Sequence, residues 1–149
     1  MTTTSRTTPA AARSGLRHRP PALTTGVGGF FTFTGGIHVG IVAADTQFYE
    51  PFGEPGLFGF VRTGWAEVFM AAPEVWGLLL AAAEVVVGVL LLVGGRAARV
   101  GWVLTIVFHV LLMLFGFGIW TWSIPAIAFL AWGARRDWPA LGGAPTVAS

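Results

Sequence analysis

The feature that most constrains this chain is the stretch from Val100 to Ala134, which contains no Asp, Glu, Lys or Arg. As one helix it would extend about 52 Å, against a bilayer hydrocarbon core of about 30 Å. It must fold back on itself, and the sequence marks the place: Gly116-Phe117-Gly118, then Trp120-Thr121-Trp122-Ser123, then Pro125. Paired tryptophans suit the headgroup level. Ser123 can cap a new helix with Pro125 in its first turn. Two spans are therefore expected, at about 100–117 and 119–134.

Two further apolar stretches precede them. From Thr24 to Ala44 no residue carries a formal charge, which predicts a first span over 24–44. A competing reading makes this stretch a signal peptide cleaved after Val42-Ala43-Ala44, but it is polar and glycine-rich for that role. Val75 to Gly95 holds a single ionisable group, Glu84, and predicts a span over 75–95. Pro73 and Glu74 suit its first turn, and Gly94-Gly95 suits its end.

Composition agrees with lipid as the solvent. Charged residues make up 11% of the 149 residues, against about 25% in a soluble domain. There is no cysteine, which excludes disulfides and thiolate metal sites. The nine Lys/Arg positions are all arginine, a usage typical of GC-rich bacteria. No basic patch alternates with stacking aromatics, so nucleic acid is not an expected partner.

Residues 1–23 read as a disordered tail and 139–149 as a flexible C-terminal tail, flanking a membrane domain over 24–138. Residues 45–74 form an acidic connection in which Asp45, Glu50, Glu54, Glu67 and Glu74 face a lone Arg62. Its Leu57–Ala72 part can form an interfacial helix. The carboxylates could hold a hard cation, but their spacing fits a solvated loop better. Eight of the nine Arg fall in the tail, the 96–99 turn and the C-terminus. Basic and non-basic segments thus alternate, as four spans with both ends cytoplasmic require. The expected fold is an all-α, integral membrane four-helix bundle. The expected location is the bacterial cytoplasmic membrane, with multiple passes.

Ionisable side chains at membrane depth are the candidate functional residues, because each costs about 2.5–3.5 kcal/mol at a helix centre. Glu84 lies mid-span, and His109 falls at the same depth on the antiparallel neighbour. The expectation is a Glu84–His109 pair inside the bundle, with Ala81, Gly88 and Gly77 on the Glu84 face and Thr105, Met113 and Gly116 on that of His109. His38, in the outer half of the first span, can approach this pair from above. Gly36 and Gly40 would let that helix pack closely. Such a pair either handles protons or fixes helix register. His38 and His109 could also ligate a haem axially, but no further haem-pocket feature accompanies them. No Ser-His-Asp order, phosphate loop or HExxH is present.

The segment LLLAAAEVVVGVLLLVGGRAARVGW, Leu78 to Trp102, resembles the DoxX-like membrane proteins through Glu84, Gly94, Gly95 and Arg96. The likeness covers residues 34–138 in outline, and it implies a four-span bundle. The family is named after a subunit of a thiosulfate:quinone oxidoreductase, and some members are regarded as membrane partners of redox complexes. The resemblance therefore implies a redox-associated subunit that contacts quinone or a partner oxidoreductase, with Glu84, His109 and His38 as proton-handling candidates. The alternative is a non-catalytic membrane protein that anchors or assembles a partner, or pairs with copies of itself.

Overall fold

The computed structural model describes residues 19–142. Residues 1–18 and 143–149, most of the two expected tails, lie outside the described residues. Four helices are long and apolar enough to cross a membrane: α1 (Ala22–Ala44), α3 (Pro73–Val93), α4 (Gly95–Leu112, prolonged by a 3-10 turn to Phe115) and α5 (Phe117–Asp137). A short α2 (Gly59–Gly64) lies in the connection between α1 and α3. The molecule is an all-α four-helix membrane bundle.

Its surface follows from its solvent. Phe33, Val75, Val86, Val93, Val103, Leu111 and Phe117 all point outward, Phe33 at 67% exposure. Lipid chains accept such a surface, whereas water would not. Neighbouring helices order themselves α1–α3–α4–α5 around the bundle, and the seam between α1 and α5 is the loosest. Helix packing in lipid favours small residues at the contact, and here α1 and α3 meet through glycine. A Cβ on Gly35 would stand 2.8 Å from the Ala81 carbonyl oxygen, and one on Gly88 2.7 Å from that of Gly28.

The structure differs from expectation in three places. Only Gly94 separates α3 from α4, and Gly94 and Gly95 have φ of +82° and +59°. Arg96 and Arg99 therefore belong to the first turns of α4 rather than to a 96–99 loop. Arg99 reaches the α5 end instead, donating to the Trp138 carbonyl at 3.0 Å and lying 5.0 Å from its ring centre. The break before α5 is Gly116 at φ +101°, so Ser123 and Pro125 lie inside α5, not at its start. A single left-handed residue reverses the chain there, and no side-chain cap is needed. The α1 contact also falls elsewhere: a Cβ at Gly36 or Gly40 would meet nothing, while Gly28 and Gly35 face α3.

The two ends of the bundle are closed differently. At the terminal end, Val27, Phe31, Val87, Leu91, Ala98, Trp102, Leu130, Ala134 and Leu141 form the core. The Asp137 carboxylate crosses to α1 and accepts from the Thr24 amide (3.1 Å) and hydroxyl (2.7 Å), while Trp102 Nε1 donates to Thr24 Oγ1 at 3.2 Å. A carboxylate at a helix N-terminus satisfies an orphan amide and meets the positive dipole end. At the other end the 45–72 connection folds over the helices as an insert. It contains a 3-10 turn (Thr46–Phe52), α2 and a π-helical turn (Trp65–Phe69). Leu57 N donates to the Leu114 carbonyl at 2.9 Å, tying the insert to the end of α4.

Candidate functional site

The glycine contact between α1 and α3 decides the site. With the helices this close, His38 Nε2 comes to 3.8 Å from Glu84 Oε1. Glu84 is therefore paired with His38 from α1, not with His109 as the sequence suggested. Equal depth put Glu84 and His109 at one level, but the rotation of α3 is set by its glycine face, and that face meets α1. The expected small face of Glu84 is borne out: Ala81, Gly77 and Gly88 are buried with it. Thr105 and Gly116 are buried on the His109 face, and Met113 is half-buried.

Tyr49, which the sequence reading passed over, completes the group. It is the one tyrosine of the chain and is 2% exposed. Its hydroxyl lies 2.8 Å from His38 Nδ1, with the rings stacked at 13°. The insert holds it there. Trp65 Nε1 donates to the Tyr49 carbonyl at 2.9 Å, and Phe69 packs edge-on against its ring. The π-helical turn brings Trp65 and Phe69 face to face, 3.9 Å apart. On α3, Gly77 leaves the room: a Cβ there would lie 3.1 Å from Tyr49 Oη. A lone tyrosine following an acidic helix terminus was the available signal, but a loop residue's destination depends on how the loop folds back.

Burial, and after it the nearby Glu84 carboxylate, push the Tyr49 phenol above its ordinary range. The phenol thus stays protonated at neutral pH and donates to His38 Nδ1. In the neutral imidazole the proton then sits on Nε2, facing Glu84. Tyr49, His38 and Glu84 form one polar line from the insert into the bundle. Glu84 is 6% exposed, and its Oε2 is buried without a hydrogen-bond partner.

Glu84 is also among the residues that line a cleft of about 590 Å³, with Phe30, Phe31, His38, Tyr49, Phe69, Phe108, His109 and Trp122. The size suits a ring-bearing small molecule. A second cleft of about 570 Å³ lies along the α1–α5 seam and shares Phe30, Phe31, His109 and Trp122 with the first. His109 stands where the two meet, its Nδ1 2.9 Å from the Thr105 carbonyl. His38 shares Nδ1 with the Tyr49 hydroxyl, while its Nε2 faces Glu84 Oε1 at 3.8 Å, beyond hydrogen-bond distance. In the insert, Asp45 Oδ1 accepts from Gln47 N at 2.9 Å as a local cap. Among the described residues no three His, Asp or Glu side chains gather as a metal group.

Comparison with protein-family models, with curated proteins and with solved structures returns no match to this chain.

Proposed function

We propose that the chain is a DoxX-like membrane subunit that binds a quinone-class amphiphile in the insert-half cleft and holds a proton for it on Glu84. One observation carries this reading: a buried carboxylate with an oxygen that lacks a partner, on a residue that lines an aromatic-walled cleft. A buried polar atom left unmade costs about 1–3 kcal/mol, so its retention fits a ligand that completes it. The aromatic walls suit a flat ring, and the contiguous α1–α5 cleft suits an apolar chain leaving the ring. A bound quinone supplies two-electron chemistry coupled to protons. A partner oxidoreductase supplies the electrons, and the Glu84–His38–Tyr49 line offers proton-holding atoms. Arg19, Arg96, Arg99, Arg135 and Arg136 cluster at the terminal end and Arg62 alone sits in the insert. By the positive-inside rule the termini are cytoplasmic and the insert faces outward, in a bacterial cytoplasmic membrane by composition.

Small-molecule mass spectrometry of the detergent-solubilised protein tests this. A quinone-class compound should copurify with the wild type and be lost from folded Glu84→Gln. Its absence from the wild type, in membranes rich in quinone, would overturn the reading.

A second reading has its own observation. Gly29, Gly36 and Gly40 leave open space on the outer face of α1, a surface on which another transmembrane helix can pack closely. It supports assembly with a membrane partner or a second copy. Gly36→Leu should then shift the detergent-corrected mass of the complex, and an unchanged mass would remove this reading.

A further inference from the structure

We propose that Tyr49 is a redox-active residue: it gives one electron to a cationic one-electron oxidant at the insert surface while its phenolic proton passes to His38. Three observations meet at this ring. The Tyr49 hydroxyl stands 2.8 Å from His38 Nδ1, and among the described residues no other group bonds to it, so its proton has one acceptor. The ring is buried, with Phe48 and Phe69 edge-on to it and Gly77 of α3 beside its hydroxyl. Trp65 links it to the surface. The Trp65 indole donates to the Tyr49 carbonyl, and Trp65 also lines a cleft of about 660 Å³ on the insert with Gln47, Glu50, Glu54 and Arg62.

Taking an electron from a phenol without its proton would leave a cationic ring in an apolar pocket, a costly state. Passing the proton to His38 leaves a neutral phenoxyl ring instead. The O–H bond breaks, an N–H bond forms at Nδ1, and the electron goes to the oxidant. His38, already protonated at Nε2, becomes an imidazolium. Glu84 Oε1 lies 3.8 Å from that Nε2 and supplies the opposite charge. When the ring is reduced again, the proton returns to the phenol. Burial keeps water and its side reactions from the radical. Phe69 is stacked on Trp65 at 3.9 Å and lies 5.2 Å from the Tyr49 ring, so aromatic rings run unbroken from Tyr49 to the insert cleft. Glu50 and Glu54 outnumber Arg62 there, which draws a cation to it. Tyr49 also lines the insert-half cleft, beside any electron donor held there. The oxidation itself requires no such ligand, so it stands or falls apart from the quinone reading.

The test is flash photo-oxidation of the ligand-free full chain in nanodiscs. Tris(bipyridine)ruthenium, a trication once oxidised, is the oxidant, a cobalt ammine is the terminal electron acceptor, and electron paramagnetic resonance is the readout. A phenoxyl radical should form in the wild type and be absent from Tyr49→Phe. Tyr49 is the one tyrosine of the chain, so no other residue can give that signal. In His38→Gln its formation should slow about a hundredfold, the contribution of a positioned base. In wild type carrying isotope-labelled histidine, pulsed spectra should resolve a histidine nitrogen coupled to the phenoxyl. Tryptophanyl radicals alone in the wild type would overturn the proposal, as would no radical at all. So would an equal rate in His38→Gln, or a phenoxyl with no histidine nitrogen coupled to it. The radical's presence and its nitrogen coupling are read on the wild type alone, so they stand even where a variant does not fold.

Discussion

Two buried polar groups sit at opposite ends of this bundle, and they are built to different standards. At the terminal end, Asp137, Thr24 and Trp102 join α5, α1 and α4 through three hydrogen bonds of 2.7–3.2 Å, with Trp102 itself part of the buried apolar core. At the insert end, His38 and Tyr49 are well matched, but Glu84 meets His38 at only 3.8 Å and has Oε2 unpaired, on a residue that lines a cleft. A satisfied buried network in lipid fastens helices. An incomplete one beside a cavity is a place for something else to bind. The difference separates a structural clasp from a candidate site without reference to residue type, since both contain a buried carboxylate.

The widest break in that contrast should come from Gly88→Leu. The larger side chain cannot fit against the Gly28 carbonyl and Thr32, so α1 must separate from α3. A loss of about 3 kcal/mol is expected, measured by thermal unfolding in detergent, together with loss of ligand binding. Unchanged stability would mean that the helices do not meet through this glycine. Asp137→Ala should come next, near 2–3 kcal/mol, because two charge-assisted hydrogen bonds and a helix cap go together. Binding at the distant cleft should persist once the protein is folded. Glu84→Gln should change stability by less than about 1 kcal/mol, since the carboxylate is incompletely paired already, yet abolish ligand binding. If it destabilises as much as Asp137→Ala, the two clusters are alike and the contrast fails.

The narrowest test falls on Tyr49. Its folded-state phenol titrates above its unfolded value because burial disfavours the phenolate. Stability from this group is therefore fully present below the unfolded phenol pKa of about 10, and it is lost as pH rises through the folded value. An ultraviolet alkaline titration should show no phenolate in the folded protein near pH 10, with ionisation only at higher pH or on unfolding. Tyr49→Phe should remove that step and cost about 1 kcal/mol through the lost bond to His38. Phenolate at its ordinary pH in the folded wild type would show the ring to be solvated.

Some of this was legible in the residues and some was not. The four spans follow from apolar length, the folding back at Gly116 from a charge-free stretch too long for one crossing, and the α3 terminus from Gly94-Gly95. The importance of Glu84 and the small-residue face beside it could also be read, because one carboxylate in an apolar helix needs a reason. Its partner could not. Gly28, Gly35, Gly36 and Gly40 all offer α1 a small surface, and periodicity does not say which pair faces α3. Choosing Gly28 and Gly35 turned His38 onto Glu84 and left His109 at the junction of the two clefts.

The sequence by itself determined that the chain lives in lipid, how many times it can cross and which ionisable groups lie at membrane depth. These follow from transfer free energies and helix rise, which are local and additive along the chain. Only the tertiary structure decided which groups meet: His38 with Glu84, Tyr49 with His38, and Asp137 with Thr24. Those contacts depend on helix rotation and on a loop folding over its own bundle. Both are set by close packing between distant parts of the chain, where a single methyl group can decide the approach.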